Sequence, residues 1–339
     1  MIVTFAETPH TKFNYACRRI IAAATLIFLA AAQSAAAQSP YPAKPVRIVV
    51  PFAPGGVNDL IGRRYAQEMA RVSGSTFIVE NKGGAAGTIG AVEVARAKPD
   101  GYTLLVGSNG PLTVNPFVQP DLAYDPLKDF APVGLTSLVP HALIVNAGVP
   151  ARTLPELVAL SKKQQVGVGT AGVGSATHLT LARFNAQAGA SLLHVPYRGG
   201  GALLPDLVAG TIHGAMTEFS SALPHHRSGK ARFVAIASAS RLSQAPDVPT
   251  MAEAGVAGFT AASYIGVLAP AGTTEEALSR LQAALGAALA SEKVLTRMRE
   301  LGVEVAAPEQ RTAAGFRDFI RQEYERSREA ARIAGLKKE

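Results

Sequence analysis

Ser175 and His178 stand three residues apart, and a serine beside a base first suggests a nucleophilic hydroxyl. No G-x-S-x-G run surrounds any serine, so the strained elbow that exposes a hydrolase nucleophile is missing. Ser175 reads instead as a helix N-cap, its hydroxyl accepting a backbone N–H of the next turn, with His178 in that turn. His213, Glu218, His225 and His226 are the candidates for metal, yet neither H-x-x-x-H nor a cysteine/histidine grid occurs, so no metal is expected. Asp59, Glu80, Asp100 and Asp206 each have a capping or surface reading, which leaves no carboxylate pair for acid–base work. Gly167 to Gly172 fits G-x-G-x-x-G, but no Asp or Glu lies between Gly172 and Asp206 to hold a ribose. No cofactor and no catalytic residue is therefore assigned.

A different chemistry recurs three times: a short apolar strand, a glycine-rich loop, then a helix start. The loops are Phe52-Ala53-Pro54-Gly55-Gly56, Asn81 to Gly87 with Gly84 and Ala85, and Gly169 to Ser175 with Thr170, Ala171, Gly172 and Gly174. The first N–H groups of a helix have no intrahelical acceptor and sit at the positive end of its dipole. Such a start holds an anion without a cationic side chain. Asp59 at the first helix start and Ser108 after the third strand join the candidate ligand contacts. Tyr197 and Arg198 follow another strand and precede Gly199-Gly-Gly201, where Arg198 is placed either to grip a second carboxylate bidentately or to rest on the loop rim.

The elements that must position these loops alternate. Strands are expected at Val46–Val50, Thr76–Val79 and Tyr102–Val106, with helices at Asp59–Val72 and Thr88–Ala97 between them. That order gives an α/β unit with a mostly parallel sheet. Residues 107–132 are loop-rich, and the apolar runs Val133–Val139 and Ala142–Val145, split by Pro140, form a crossing. The pattern then restarts with a helix at Leu154–Lys163, strands near Val166–Val168 and Leu192–Val195, and further strands at Ile212–Thr217 and Phe233–Ser238. His225 and His226 fall in an expected loop. A second crossing at Tyr264–Leu268 precedes two helices, Thr274–Ser291 and Arg311–Ile333. The expected fold is α/β: two lobes, 38–139 plus 264–339 and 140–263, each a mostly parallel sheet flanked by helices, with a ligand cleft between them.

Ahead of the lobes, Lys12, Arg18 and Arg19, the apolar run Ile20–Ala32 and the small residues Ala35–Ala37 have the layout of a secretory signal peptide, residues 1–37. Its removal takes away Lys12, Arg18, Arg19 and Glu7, leaving 30 basic and 24 acidic groups, a net charge of +6. It also removes Cys17, the one cysteine of the chain, so thiolate and disulfide chemistry are excluded. The remaining charges are scattered and not interleaved with aromatics, which argues against a nucleic-acid partner.

Taken together, Tyr41-Pro-Ala-Lys-Pro-Val-Arg-Ile-Val-Val-Pro-Phe-Ala-Pro-Gly-Gly56 with Asp59, Val79-Glu-Asn81 before Gly84-Ala-Ala-Gly87, and Lys98-Pro-Asp-Gly-Tyr-Thr103 carry a resemblance. So do Tyr124-Asp-Pro126, Asp129-Phe-Ala-Pro-Val133, Gly169 to Ser175 with His178-Leu179, Val195-Pro-Tyr-Arg-Gly199, and Val248-Pro-Thr250 with Glu253-Ala-Gly255. The chain resembles the Bug-type extracytoplasmic solute receptors, the substrate-binding subunits of tripartite tricarboxylate transporters. The resemblance implies a monomeric periplasmic binding protein of type II-like fold that closes on a small organic acid and delivers it to membrane subunits. It also implies that backbone amides and ordered water at Phe52–Gly56, Asn81–Ala85 and Thr170–Ser175 grip a carboxylate. Two stretches depart from the family pattern. Ser263-Tyr-Ile-Gly266 stands where relatives carry Trp-Tyr-Gly, and Thr217 or Glu218 replaces the acid of a Phe-Asp-Asn run. An exported enzyme acting on a carboxylate, and a receptor serving a sensor, are the alternatives.

Overall fold

Strand β1 (Val46–Val50) is apolar apart from half-buried Arg47: Val46, Ile48, Val49 and Val50 are all buried. A run of this kind suits the middle of a parallel sheet covered on both sides. In the computed structural model, which describes Ile2 and residues 41–336, β1 lies between parallel β2 (Phe77–Asn81) and β3 (Thr103–Ser108). Apart from Ile2, the expected signal peptide, 1–37, lies outside the described residues. Met1–Ala43 and Lys44–Glu339 form separate units, and all that follows concerns the second.

Helix α1 (Val57–Ser73) follows the first loop and stops at Gly74, whose φ of 68° suits glycine. Helix α2 (Thr88–Ala95) follows the second loop, and a short α3 (Asn115–Val118) lies in the loop-rich region. Next comes β4 (Phe130–Asn146), a single strand of 17 residues where two apolar runs split by a proline were expected. Proline is tolerated in a strand only where no ladder N–H is needed. Pro140 sits where β4 changes partners: it pairs with Ala262 of β9 (Ala262–Pro270), and His141 already pairs with Glu218 of β7 (Gly214–Glu218). Pro132 likewise falls at a register shift against β9.

The second sheet is built on the later half of β4, which pairs antiparallel with β7 and β8 (Ala231–Ile236). Beyond β7 come β5 (Val166–Thr170) and β6 (Leu192–Pro196), both parallel to their neighbours. Helices α4 (Leu154–Lys163), α5 (Ala176–Ala188), α6 (Leu204–Ala209) and α7 (Phe219–Arg227) connect these strands. His225 and His226 thus end a helix where a loop was expected. Each sheet is mixed: three parallel strands on its outer side and antiparallel pairing around β4 and β9. The chain closes with α8 (Glu275–Leu289), a separate α9 (Glu292–Glu300), β10 (Glu304–Val305) against β4, and α10 (Ala313–Ile333).

Two apolar cores flank the second sheet, one centred on Leu143, Val168, Phe184 and Met216, the other on Ile144, Ala215, Phe219 and Phe233. Val49, Leu105, Leu135, Tyr264 and Phe316 anchor the core of the first. Packing on both faces leaves the strand ends as the place where polar loops can meet.

Candidate functional site

The loops beyond β1, β2, β3, β5, β6 and β7 and the start of β9 line a cavity of about 270 Å³. In open α/β sheets this end, beyond the carboxyl ends of the parallel strands, is where ligands bind. Of the expected contacts, Phe52, Ser108, Ala171, Gly174 and Ser175 line it. Ala53, Pro54, Gly55, Gly56, Asp59, Asn81, Gly84, Ala85, Thr170, Gly172, Tyr197 and Arg198 do not.

Physical reasons for several of these placements lie in hydrogen bonds made within the loops. Gly55 donates its N–H to Asp59 Oδ2 at 2.9 Å, while Asp59 Oδ1 accepts from Arg63 Nε at 2.9 Å and Asn81 Nδ2 at 2.8 Å. Burial alone would push the Asp59 carboxyl up, but the Gly55 N–H, Arg63 and Asn81 together hold it below its usual value. Asn81 Nδ2 also donates to the Phe52 carbonyl at 3.1 Å. Asp59 and Asn81 are therefore clamps that shape the first loop, and Asn58 of the first turn of α1 reaches the cavity instead.

In the second loop it is Ala86 that lines the cavity. Ala85 and Ala86 have φ of 46° and 52°, and Gly87 has 93°. A left-handed residue with a Cβ costs roughly 1–2 kcal/mol. The turn is held by Asn115, whose Nδ2 donates to Ala86 O at 3.1 Å and Thr88 Oγ1 at 3.0 Å, and by Gln119 Nε2, which donates to Ala85 O at 3.0 Å. Turns that point successive N–H groups to one side form concavities for anions.

In the third loop Ser175 is the N-cap of α5 as expected, its Oγ accepting from the His178 N–H at 3.1 Å. Four amides of the loop are also engaged, that of Ser175 by the Gly172 carbonyl at 3.1 Å. Ala171 donates to Thr177 Oγ1 at 3.0 Å, Gly172 to Thr170 Oγ1 at 3.3 Å, and Gly174 to His178 Nδ1 at 3.1 Å. The amides of Ala176 and Thr177, at the first two positions of α5, have no acceptor among the described residues, and both residues line the cavity. His178 stacks on His194 with ring centroids 3.8 Å apart, and burial, reinforced by His194, lowers its pKa to about 4. His194 Nε2 pairs with Thr170 Oγ1 at 2.7 Å, which keeps the buried Thr170 in the scaffold.

Tyr197 turns away from the cavity and donates its hydroxyl to Asp206 Oδ2 at 2.7 Å; burial and that carboxylate push its pKa up to about 12. Arg198 is exposed, and the cavity is lined from this loop by Gly199.

Sequence reasoning also passed over Asn109, Gly110 and Asn115, which belong to the loop-rich stretch after β3. Glu218 and Ser263, noted only as departures from a family pattern, face the cavity as a pair: Ser263 Oγ donates to Glu218 Oε1 at 3.0 Å. Behind them His141 Nε2 meets Ser263 Oγ at 3.0 Å, and His141 Nδ1 meets Thr180 Oγ1 at 2.8 Å. Burial lowers the His141 pKa to about 3 and raises that of Glu218. No cluster of three or more metal-ligating side chains exists among the described residues.

Two mixed sheets joined by crossing strands, with a polar cleft at their strand ends, define a two-lobed solute-binding protein. The chain belongs to the tripartite tricarboxylate transporter family of receptors, whose family model matches residues 61–336. These are periplasmic receptors, not enzymes. It is 35% identical over 318 residues to the protein BugT of Bordetella pertussis, covering 92% of this chain and 96% of that one. Among solved structures, MatC from Rhodopseudomonas palustris with bound malate shares 36% identity at a TM-score of 0.76, over 86% of this chain and 99% of that one. An R. palustris protein with adipate shares 31% identity at 0.79, over 88% and 99%.

Proposed function

We propose that this receptor captures a small organic acid in the cleft between lobe I, residues 38–139 plus 264–339, and lobe II, residues 140–263, and hands it to the membrane subunits of a tripartite tricarboxylate-type transporter. It works as a monomer, exported by a signal peptide cleaved before Gln38. The observation that carries this reading is the set of uncommitted donors in the cavity wall, the first-turn amides of Ala176 and Thr177. They face a space no lysine, arginine or histidine lines among the described residues. A carboxylate satisfies such amides, and the positive end of the α5 dipole favours it. The relatives with bound malate and adipate point to the same ligand class.

A thermal-shift screen of ligand-stripped mature protein against mono-, di- and tricarboxylates tests it. A ligand at 100-fold its Kd stabilises by about 2.7 kcal/mol, a rise of roughly 4–5 °C for a chain of this size. Silence across all carboxylates, with a neutral or cationic compound shifting the transition, would refute the reading.

A further inference from the structure

Resting on that reading, we propose that Glu218 restricts the cleft to carboxylates that also carry a hydrogen-bond donor, an ammonium or a hydroxyl, on the carbon chain. Glu218 is the one ionisable side chain lining the cavity among the described residues. A carboxylate there repels a second carboxylate and attracts a donor, so its position sets which end of a ligand can lie beside it.

Its surroundings fix it as an acceptor. Ser263 gives its proton to Oε1, His141 Nε2–H can give its own to Ser263 Oγ, and Thr180 can give its hydroxyl proton to His141 Nδ1. With the proton of neutral His141 on Nε2, all three donors in this chain point toward Glu218. The second oxygen, Oε2, faces Gly200 of the loop over the cavity; a Cβ at Gly200 would stand 3.3 Å from it. Burial with no cation at hand raises the carboxyl's pKa, the mark of a group that gains from a donor brought to it.

Other polar atoms of the cleft are short of donors as well. Asn58 Oδ1 and Asn115 Oδ1 are buried without a partner, and both side chains line the cavity. The Asn115 amide cannot turn to help, because its Nδ2 is committed to Ala86 and Thr88. Buried polar atoms are nearly always paired, so an acceptor surplus in a ligand cavity describes the ligand. A plain dicarboxylate offers acceptors alone.

Calorimetry on matched acids decides the matter: propionate, lactate and alanine; succinate, malate and aspartate; glutarate, 2-hydroxyglutarate and glutamate. Each set holds the carbon chain fixed and changes only the donor. In the set whose length fits, the hydroxy or amino acid should bind at least tenfold tighter than the unsubstituted acid. Glu218→Gln should cut that ratio to threefold or less. Ammonium ahead of hydroxyl would identify a charge pair, and the reverse order a neutral donor. Equal or tighter binding of the unsubstituted acid by the natural protein would overturn the proposal and leave the carboxylate reading standing, whether or not the variant folds. An unchanged ratio in a folded Glu218→Gln protein would overturn it too. No binding in any set would overturn the proposal, and the carboxylate reading would then stand or fall with the thermal-shift screen alone.

Discussion

Replacing Ala176 with proline deletes one hydrogen-bond donor from the cleft and little else. Ala176 is the first residue of α5, and its N–H has no acceptor among the described residues, so the helix loses no hydrogen bond. Proline is favoured at that position, with its φ already set for the helix. The preceding residue must be extended, and Ser175 is, at φ −77° and ψ 160°. The folded protein should therefore keep its stability to within about 0.5 kcal/mol, as substitutions outside core and cap networks do. Binding should not be spared. A hydrogen bond to a charged group contributes about 1.5–3 kcal/mol, and each 1.4 kcal/mol is a factor of ten. The Kd for the carboxylate found by the screen should rise roughly ten- to hundredfold by titration calorimetry, with the melting temperature nearly unchanged. Glu275→Pro, at the equivalent position of α8 and outside the cavity wall, should leave Kd alone. A Kd for Ala176→Pro within twofold of the natural protein would refute the assignment of this amide to the ligand.

Acid should loosen the third loop. His178 accepts the Gly174 N–H at Nδ1 and so must be unprotonated there, and its pKa falls from 6.5 to about 4 through burial and then His194. A folded-state pKa below the unfolded one means the stability is fully present above about pH 6.5 and is lost as pH falls toward 4. Melting temperature should be flat above pH 7 and decline from pH 6 to 4; His178→Asn, which keeps an acceptor in reach, should flatten part of that decline, and an unchanged slope would exclude His178 as its source. Asn115→Ala should release the left-handed alanine turn, costing about 1–3 kcal/mol of stability and weakening ligand binding. Adding Ala86→Gly, which removes the strain of a Cβ in that conformation, should recover part of the binding.

Local features were the legible ones. Strand, glycine loop and helix start lie within a dozen or so residues, and all three such units formed with helix starts at Val57, Thr88 and Ala176. The fusion of two apolar runs into β4 was not visible, because Pro140 ends a strand by every local rule. Only the transfer of pairing from β9 to β7 makes it harmless. At the site, the sequence showed which loops carry amides but not which amides are free. The acceptors for Gly55 and Gly174 are side chains four residues on, Asp59 and His178, and their rotamers settle the matter. Glu218 and Ser263 stood out as departures, yet their pairing joins residues 45 positions apart and needed the register of three strands.

The threading of β4 and β9 also sets the order in which the chain can assemble. The second sheet draws its strands from one continuous stretch, between His141 and Ile236. The first sheet cannot close until β9 arrives, because β3 and the early half of β4 both wait for residues of Ala262–Pro270, and α10 packs over them later still. The early strands β1, β2 and β3 can pair with one another first, while the outer edge of β3 and the early half of β4 stay open until β9 is made. Loop closure over such separations is slow, and unpaired edges invite aggregation. Truncation after Ile236 would leave the second sheet with its strands complete and the first with an open flank.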